Sequence, residues 1–238
     1  MSTEYTVIRL DRNGPVAEVV LNSPERLNAM APVFFEEINA VFEEIDTDDS
    51  IHVALLWAEG KHFTAGLDLR AASQGILTAE RNGSQAVRNH ELYKHIRHLQ
   101  DCFTAIERCR KPAIAAVHGH CIGGGVDLTT ACDIRLCSKE ATFAIHETKV
   151  AIVADVGTLQ RITPIVGKGM AREMAYTGKK LTADHCLRCG LVNHVYENKE
   201  DLLEAARHMA SEIAANSPFA VQGAKAVLQI SEAHTTQE

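Results

Sequence analysis

The chain has 238 residues, 46% of them hydrophobic and 23% charged, which suits a folded protein with a substantial buried core. Its formal charge of -7, from 24 basic and 31 acidic residues, offers no broad basic face for a nucleic-acid backbone, and aromatics are scarce at 5%. No apolar stretch approaches the length of a membrane span, no basic and apolar leader opens the chain, and no peroxisomal or lipidation signal closes it, so a cytoplasmic protein is expected. The seven cysteines, an odd number set mostly among apolar neighbours, read as reduced and mostly buried thiols.

In chain order, Val7 and Leu10 among polar residues, a turn at Asn13-Gly14-Pro15 and the apolar run Val16 to Leu21 predict a β-hairpin. A helix follows from Ala31-Pro32, with Phe35, Ile38, Val41, Phe42 and Ile45 at helical spacing, ending in the acidic run Asp46 to Asp49. His52 to Trp57 reads as a buried strand, and the polar stretch from Ser73 to Ser84 as a mobile loop. From Asn89, the stripe Leu92, Ile96, Leu99, Phe103 and Ile106 predicts a longer helix that stops before Lys111-Pro112. Ala113 to Val117 is a compact strand, and Gly119 to Gly125 is a glycine-rich turn into a helix. A β pair (Ile134 to Cys137 with Thr142 to Ile145) and helices near Gly167 to Tyr176, Ala183 to Arg188, Leu202 to Ala214 and Ala220 to Ile230 complete an α/β chain without an obvious linker or repeat.

The glycine segment Gly119 to Gly125 ends a buried strand and opens a helix, where backbone N–H groups lack internal partners and can receive an anion or a developing oxyanion. It contains no G-x-G-x-x-G, and Gly167-Lys168 lacks the surroundings of a phosphate loop. A second glycine turn stands in Phe63-Thr64-Ala65-Gly66-Leu67-Asp68-Leu69. Three acids sit among apolar residues: Asp127 just after the glycines, Glu147 in Ile145-His146-Glu147-Thr148, and Asp155 in Val153-Ala154-Asp155-Val156-Gly157. Fixed donors paired with carboxylates suit proton removal next to a carbonyl, because the charge left on its oxygen is stabilised without reorganisation. Cys186 and Cys189 have metal-like spacing but no second pair, and His95 with His98 and His118 with His120 read as structural, so no metal site is expected.

The two glycine turns, with Asn22-Ser23-Pro24-Glu25-Arg26-Leu27-Asn28-Ala29-Met30 and Ala131-Cys132-Asp133-Ile134-Arg135, resemble the crotonase (enoyl-CoA hydratase/isomerase) superfamily over nearly the whole chain. The resemblance implies a crotonase (ClpP/crotonase-like) fold, a spiral of ββα units with peripheral helices. It divides the chain into a core at residues 1–195 and a C-terminal helical segment at 196–238 that is shorter than usual for the family. It implies an acyl-CoA thioester substrate, no cofactor besides that substrate's coenzyme A, and a homotrimer or dimer of trimers. The main-chain N–H groups of Leu67 and Gly124 would grip the thioester oxygen, each contributing roughly 3 kcal/mol in the transition state. Arg26, Asn28, Ala29, Ala65, Gly66, Asp68 and Gly123 would line the substrate and coenzyme A site.

Within the superfamily, aspartates at positions 127 and 155 and the run Ala154-Asp155-Val156-Gly157-Thr158-Leu159-Gln160-Arg161 resemble the Δ3,5-Δ2,4-dienoyl-CoA isomerase branch; hydratases typically carry glutamate and a glycine-rich turn there. That branch implies Glu147 at C2 of the acyl chain, Asp155 at C6 and Asp127 tuning the pair. The alternatives are 2-trans-enoyl-CoA hydration by Asp127 and Glu147, and a non-catalytic acyl-CoA binding module.

Overall fold

The computed structural model describes residues 5–74 and 84–233. Strands β1 (Ile8–Asn13) and β2 (Val16–Leu21) form the expected hairpin, with Asn13 opposite Val16 and Gly14 at φ +60° in the turn. Next come α1 (Pro32–Thr47), β3 (Val53–Ala58), the short α2 (Leu69–Gln74) and α3 (Gln85–Arg108). They are followed by β4 (Ala113–Val117), β5 (His120–Ile122), α4 (Gly124–Thr130), β6 (Ile134–Ser138) and β7 (Thr142–Ala144). A 3-10 turn at Glu147–Val150, α5 (Thr158–Thr177), β8 (Leu181–Thr182), α6 (Ala183–Arg188), β9 (His194–Tyr196), α7 (Lys199–Ala214) and α8 (Pro218–Ala233) close the described chain.

The strands form a six-stranded sheet, β1-β2-β3-β4-β6-β9, parallel beyond the hairpin, and a three-stranded sheet, β5-β7-β8. Continuous apolar runs are what a parallel sheet covered on both faces requires, and β2, β3 and β4 are buried at every position. Alternation along β3 separates two cores. Val53, Leu55 and Trp57 face Leu202, Ala206, Ala210 and Ala214 of α7, whereas Ala54, Leu56 and Ala58 join the larger core with Phe34, Phe42 and Phe103. Helix α7 therefore shares the sheet's own core, and β9 straddles the expected division at residue 195.

The chain leaves the large sheet at Gly119. Its φ of +59° and the position of a hypothetical Cβ, 2.3 Å from the Lys61 carbonyl oxygen, admit no side chain. Past this corner β5 pairs with β7, which in turn pairs with β8. The expected pairing of Ile134–Cys137 with Thr142–Ile145 is thus corrected: β6 needs cover on both faces and takes parallel partners in the large sheet, and β7 goes to the glycine-turn strand.

Helix α3 starts at Gln85, four residues before the expected Asn89, because the Ser84 hydroxyl accepts from the Val87 N–H. Leu92, expected in its apolar stripe, is exposed. Helix α5 begins well before Gly167, which is instead a break within it at φ +78°. Of the stretch expected as a loop, Ser73 and Gln74 belong to α2, Ser84 is the α3 cap, and residues 75–83 lie outside the described chain. Among the described residues, no helix is long and apolar enough to cross a membrane.

Candidate active site

The first glycine turn is built around Asn28, a non-glycine residue at φ +51° whose buried amide fastens three strands of chain. Its Oδ1 accepts from Ser23 N (2.8 Å), and its Nδ2 donates to the carbonyls of Glu59 (2.9 Å) and His62 (3.0 Å). Thr64 Oγ1 donates to the Asn28 carbonyl at 2.6 Å and accepts from Gly66 N at 3.0 Å. Met30 N–H then donates to the Gly66 carbonyl (2.8 Å), and Asp68 N–H donates to the Met30 carbonyl (3.0 Å). These two bonds form a parallel bridge that turns the intervening Leu67 N–H away from Met30.

The second turn is Gly123-Gly124-Gly125. Gly123 adopts φ +54°, donates to the Ala144 carbonyl (2.9 Å) and accepts from Val126 N–H (2.7 Å), leaving Gly124 at the helix start. The two turns touch. A Cβ on Gly66 would sit 2.5 Å from the Ile122 carbonyl oxygen and 3.6 Å from Gly124 N, and one on Gly125 would sit 2.5 Å from Thr64 Cγ2. Among the described residues, neither the Leu67 nor the Gly124 N–H donates to a protein acceptor. Two adjacent unpaired donors at a close turn-to-turn contact can hold one carbonyl oxygen.

Asp127 and Glu147 lie at the second of these turns, and Asp155 acts electrostatically on Glu147. Asp127, in the first turn of α4, is fully buried; its Oδ1 accepts from Thr158 N–H at 2.6 Å, and Oδ2 has no partner among the described residues. Burial pushes its pKa up to about 7, with the nearby Glu147 charge acting in the same direction. Glu147 hangs over the second turn: a Cβ on Gly123 would lie 2.9 Å from its Oε1, and its buried Oε2 is unpartnered among the described residues. Burial also raises the Glu147 pKa; backbone N–H groups and His146 oppose that rise, and the Asp155 charge adds to it. Asp155, on the loop before α5, is raised by burial and lowered by His95. Each acid is thus held toward its neutral form, and Glu147 is electrically coupled to both of the others.

The remaining expected site residues divide by use. Arg26 is largely exposed and forms an ion pair with Asp68, whose Oδ1 also caps α2 through the N–H groups of Arg70 (3.0 Å) and Ala71 (3.1 Å). These N–H contacts, with the Arg26 charge, keep the Asp68 pKa low. The side-chain amide of Asn28 is spent inside the turn, so this residue shapes the site through its backbone. Ala29 is half-buried and Ala65 exposed; their N–H groups bond to the carbonyls of Arg26 and Leu27.

His118 Nε2 lies 2.9 Å from the Gly60 carbonyl oxygen, and His120 Nδ1 lies 2.8 Å from Thr142 Oγ1. His62 stacks on His120 at 4.2 Å, and burial lowers both pKa values. Cys186 is buried in α6, and among the described residues no cluster of three His, Cys, Asp or Glu could hold a metal.

The sequence reading missed the support beneath Asp155. Gln100, Thr104 and Glu107 lie on one face of α3. Gln100 Nε2 donates to the Asp155 carbonyl at 2.5 Å, and Arg161 NH2 bonds Thr104 Oγ1 (3.0 Å) and Glu107 Oε2 (2.8 Å). Arg161 lies so close over Gly157 that a Cβ there would fall 1.9 Å from NH1. The only signal in the sequence was the i, i+4, i+7 spacing of these polar residues beside the apolar stripe.

Comparison with known proteins identifies the relatives of this chain. The family model described as enoyl-CoA hydratase/isomerase matches residues 11–238. The mitochondrial Delta(3,5)-Delta(2,4)-dienoyl-CoA isomerase of Dictyostelium discoideum is 47% identical over 99% of this chain and 81% of its own. The peroxisomal protein of that name from Arabidopsis thaliana is 44% identical over 93% of this chain and 80% of its own. A crystal structure of a putative enoyl-CoA hydratase/isomerase family protein from Hyphomonas neptunium superposes with a TM-score of 0.87 at 32% identity, covering 98% of this chain and 85% of that one. With two glycine turns in contact, Asp127 and Glu147 beside them and a family model spanning nearly the whole sequence, the chain belongs to the enoyl-CoA hydratase/isomerase family, the crotonases.

Proposed function

We propose that the protein isomerises 3,5-dienoyl-CoA to 2,4-dienoyl-CoA. The observation that carries this reading is the second acid along the acyl path. Asp155 is coupled to Glu147, raised by burial and held by α3, where C2 and C3 chemistry alone has no use for it. The two isomerase relatives support the same reading.

The thioester oxygen would sit between the N–H groups of Leu67 and Gly124. Glu147, ionised, takes a proton from C2, and the electron pair moves onto the thioester oxygen as an enolate that the two donors stabilise. The pair then returns through C2, C3, C4 and C5, and protonated Asp155 supplies a proton at C6. Proton and charge balance, and the two double bonds come into conjugation with the carbonyl. The electrostatics support this reading: a 1,5 proton shift needs one acid that is charged and another that is neutral, and mutual repulsion among buried carboxylates opposes all of them ionising together. Asp127, the most deeply buried of the three and itself raised in part by the Glu147 charge, is proposed to tune the pair.

Coenzyme A enters this scheme only as part of the substrate. Arg26 and the backbone of Ala29 and Ala65 are proposed to meet its nucleotide end, and Gly66, Asp68 and Gly123 to shape the passage. A homotrimer or dimer of trimers is proposed as well, supported by the exposed Phe219, Val227, Leu228 and Ile230 on α8. The compartment is proposed as cytoplasmic; the named relatives are a mitochondrial and a peroxisomal protein, and cell fractionation of the full-length chain decides between these homes.

Absorbance assays with two substrates test the activity. Conjugation with the carbonyl should grow when 3,5-dienoyl-CoA is supplied. Turnover of 2-trans-enoyl-CoA with loss of conjugation, and none of the dienoyl substrate, would make the protein a hydratase. Tight acyl-CoA binding with neither turnover nor C2 proton exchange would make it a binding module.

A further inference from the structure

The corner that opens α5 serves two of the acids at once. Asp155 lies on it, and Thr158, at the helix start just beyond, donates its N–H to Asp127 Oδ1 at 2.6 Å. Where this corner stands therefore sets the place of Asp155 and the hydrogen bonding of Asp127.

A cation in an unfavourable position lies over the corner. Arg161 stands one turn into α5, and helical side chains lean back toward the N-terminus, so its guanidinium folds over Gly157. It fills the space that a side chain at Gly157 would need: a Cβ there would fall 1.9 Å from NH1 and 3.0 Å from Cζ. The start of a helix disfavours positive charge, and NH1 is sealed from solvent with no hydrogen-bond partner among the described residues. The rest of the guanidinium is fastened to α3. Nε and NH2 reach Glu107 Oε2 at 2.9 and 2.8 Å, and NH2 donates to Thr104 Oγ1 at 3.0 Å. With Gln100 bonded to the Asp155 carbonyl, α3 grips the corner at two points, one on each side of Val156.

We propose that Arg161 is a positioning residue for the acids: braced on Glu107 and Thr104, it fixes the Gly157–Thr158 peptide so that the Thr158 N–H stays on Asp127. Its guanidinium touches no reacting atom. Burial and the Glu147 charge favour neutral Asp127, whereas the Thr158 contacts and the Arg161 charge favour the carboxylate. A slackened corner therefore leaves Asp127 protonated to higher pH. The consequence for turnover rests on the isomerase reading; the titration of Asp127 does not.

The test compares wild type with Arg161→Met, Arg161→Lys and, as a control, Arg172→Met, an exposed position on the same helix. Asp127 is titrated by carbon-13 NMR in protein labelled at its aspartate carboxyls, its signal identified by its absence from Asp127→Asn. In Arg161→Met the midpoint should rise by about one pH unit, as expected for a lost hydrogen bond to a carboxylate. With 3,5-dienoyl-CoA, kcat should fall by about tenfold or more and KM stay within about threefold, because the acids are displaced and the thioester donors are not. Arg161→Lys keeps the charge but cannot fill the space over Gly157 and hold both α3 acceptors at once, so its midpoint should rise too; it carries the test if Arg161→Met fails to fold. Arg172→Met should match wild type in both readouts. A folded Arg161→Met with the wild-type midpoint, even if slower or less stable, overturns the proposal. So does a wild-type midpoint in Arg161→Lys, which would assign the effect to charge alone. A wild-type protein that does not turn over the dienoyl substrate overturns the isomerase reading and leaves the titration to decide the role of Arg161.

Discussion

Replacing Gly66 with alanine probes the central geometric claim. The new methyl would lie 2.5 Å from the Ile122 carbonyl oxygen and 3.3 Å from its carbonyl carbon, on a backbone at φ +86°. Neither neighbour is the tip of a flexible side chain, so the contact can be relieved only by moving one turn from the other. Those turns carry the Leu67 and Gly124 donors, and Gly66 itself lies close to Gly124 N. A separation approaching 1 Å takes one donor out of reach of the thioester oxygen, which corresponds to about 2.7–4 kcal/mol of transition-state stabilisation, or a 10²–10³-fold fall in kcat. The left-handed backbone adds strain of about 1–3 kcal/mol to the folded state, a fall in Tm of roughly 2–12 °C for a chain of this size. Initial rates with 3,5-dienoyl-CoA and a calorimetric scan measure the two effects. Gly169→Ala is the control, because a Cβ there meets nothing within 4 Å in the middle of α5. A Gly66→Ala enzyme with kcat within twofold of wild type would refute the proposal that these turns form the oxyanion site.

Asp155→Asn should lower dienoyl isomerisation by about 10²–10⁴-fold while C2 exchange into deuterated solvent continues, since the base at C2 is untouched; proton NMR of the recovered thioester reads the exchange. Asp127→Asn should change the pH dependence of stability. Folded Asp127 keeps its proton up to about pH 7, whereas the unfolded chain releases it near pH ~4, so the folded state binds the extra proton between them. Wild-type stability therefore loses up to roughly 4 kcal/mol through this group as pH rises across that window, and the asparagine variant should lack that slope in urea titrations at pH values from ~4.5 to ~7.5. Lys225→Ala should lower stability by about 2 kcal/mol in urea unfolding. It removes a buried ammonium that donates to the Lys111 carbonyl (3.1 Å) and Asp133 (2.8 Å), and the partial exposure of Asp133 keeps the loss below that of a fully enclosed pair.

Much of this architecture is written in local patterns. The hairpin is set by alternation around a Gly-Pro turn, and the buried parallel strands by runs such as Val53–Ala58 and Ala113–Val117 that have no polar face. Helix α7 was legible from its apolar spacing, and α6 from its first residue to its last. The glycine turns and the three acids were singled out by the resemblance of their motifs to the crotonases, since local cost alone leaves a glycine turn or an isolated acid as readily structural as functional.

What local pattern could not specify was partnership over distance. Nothing in the residues of β6 and β7 says that they separate into different sheets; that follows from a corner at Gly119, where the Lys61 carbonyl leaves no room for a side chain. Nothing local in Gln100, Thr104 and Glu107 says that this face of α3 receives Asp155 and Arg161, more than fifty residues away in the chain. Asn28 read as a ligand-facing residue because its neighbours carry the motif, yet its amide is enclosed by Ser23, Glu59 and His62. The sequence alone determined which elements form and which residue types carry the chemistry, since propensity, periodicity and the cost of burying charge act within a few residues. Tertiary structure alone decided that the Leu67 and Gly124 N–H groups stay unpaired among the described residues, and that burial lifts Asp127 to about 7, because donor geometry and desolvation depend on every segment packed around them.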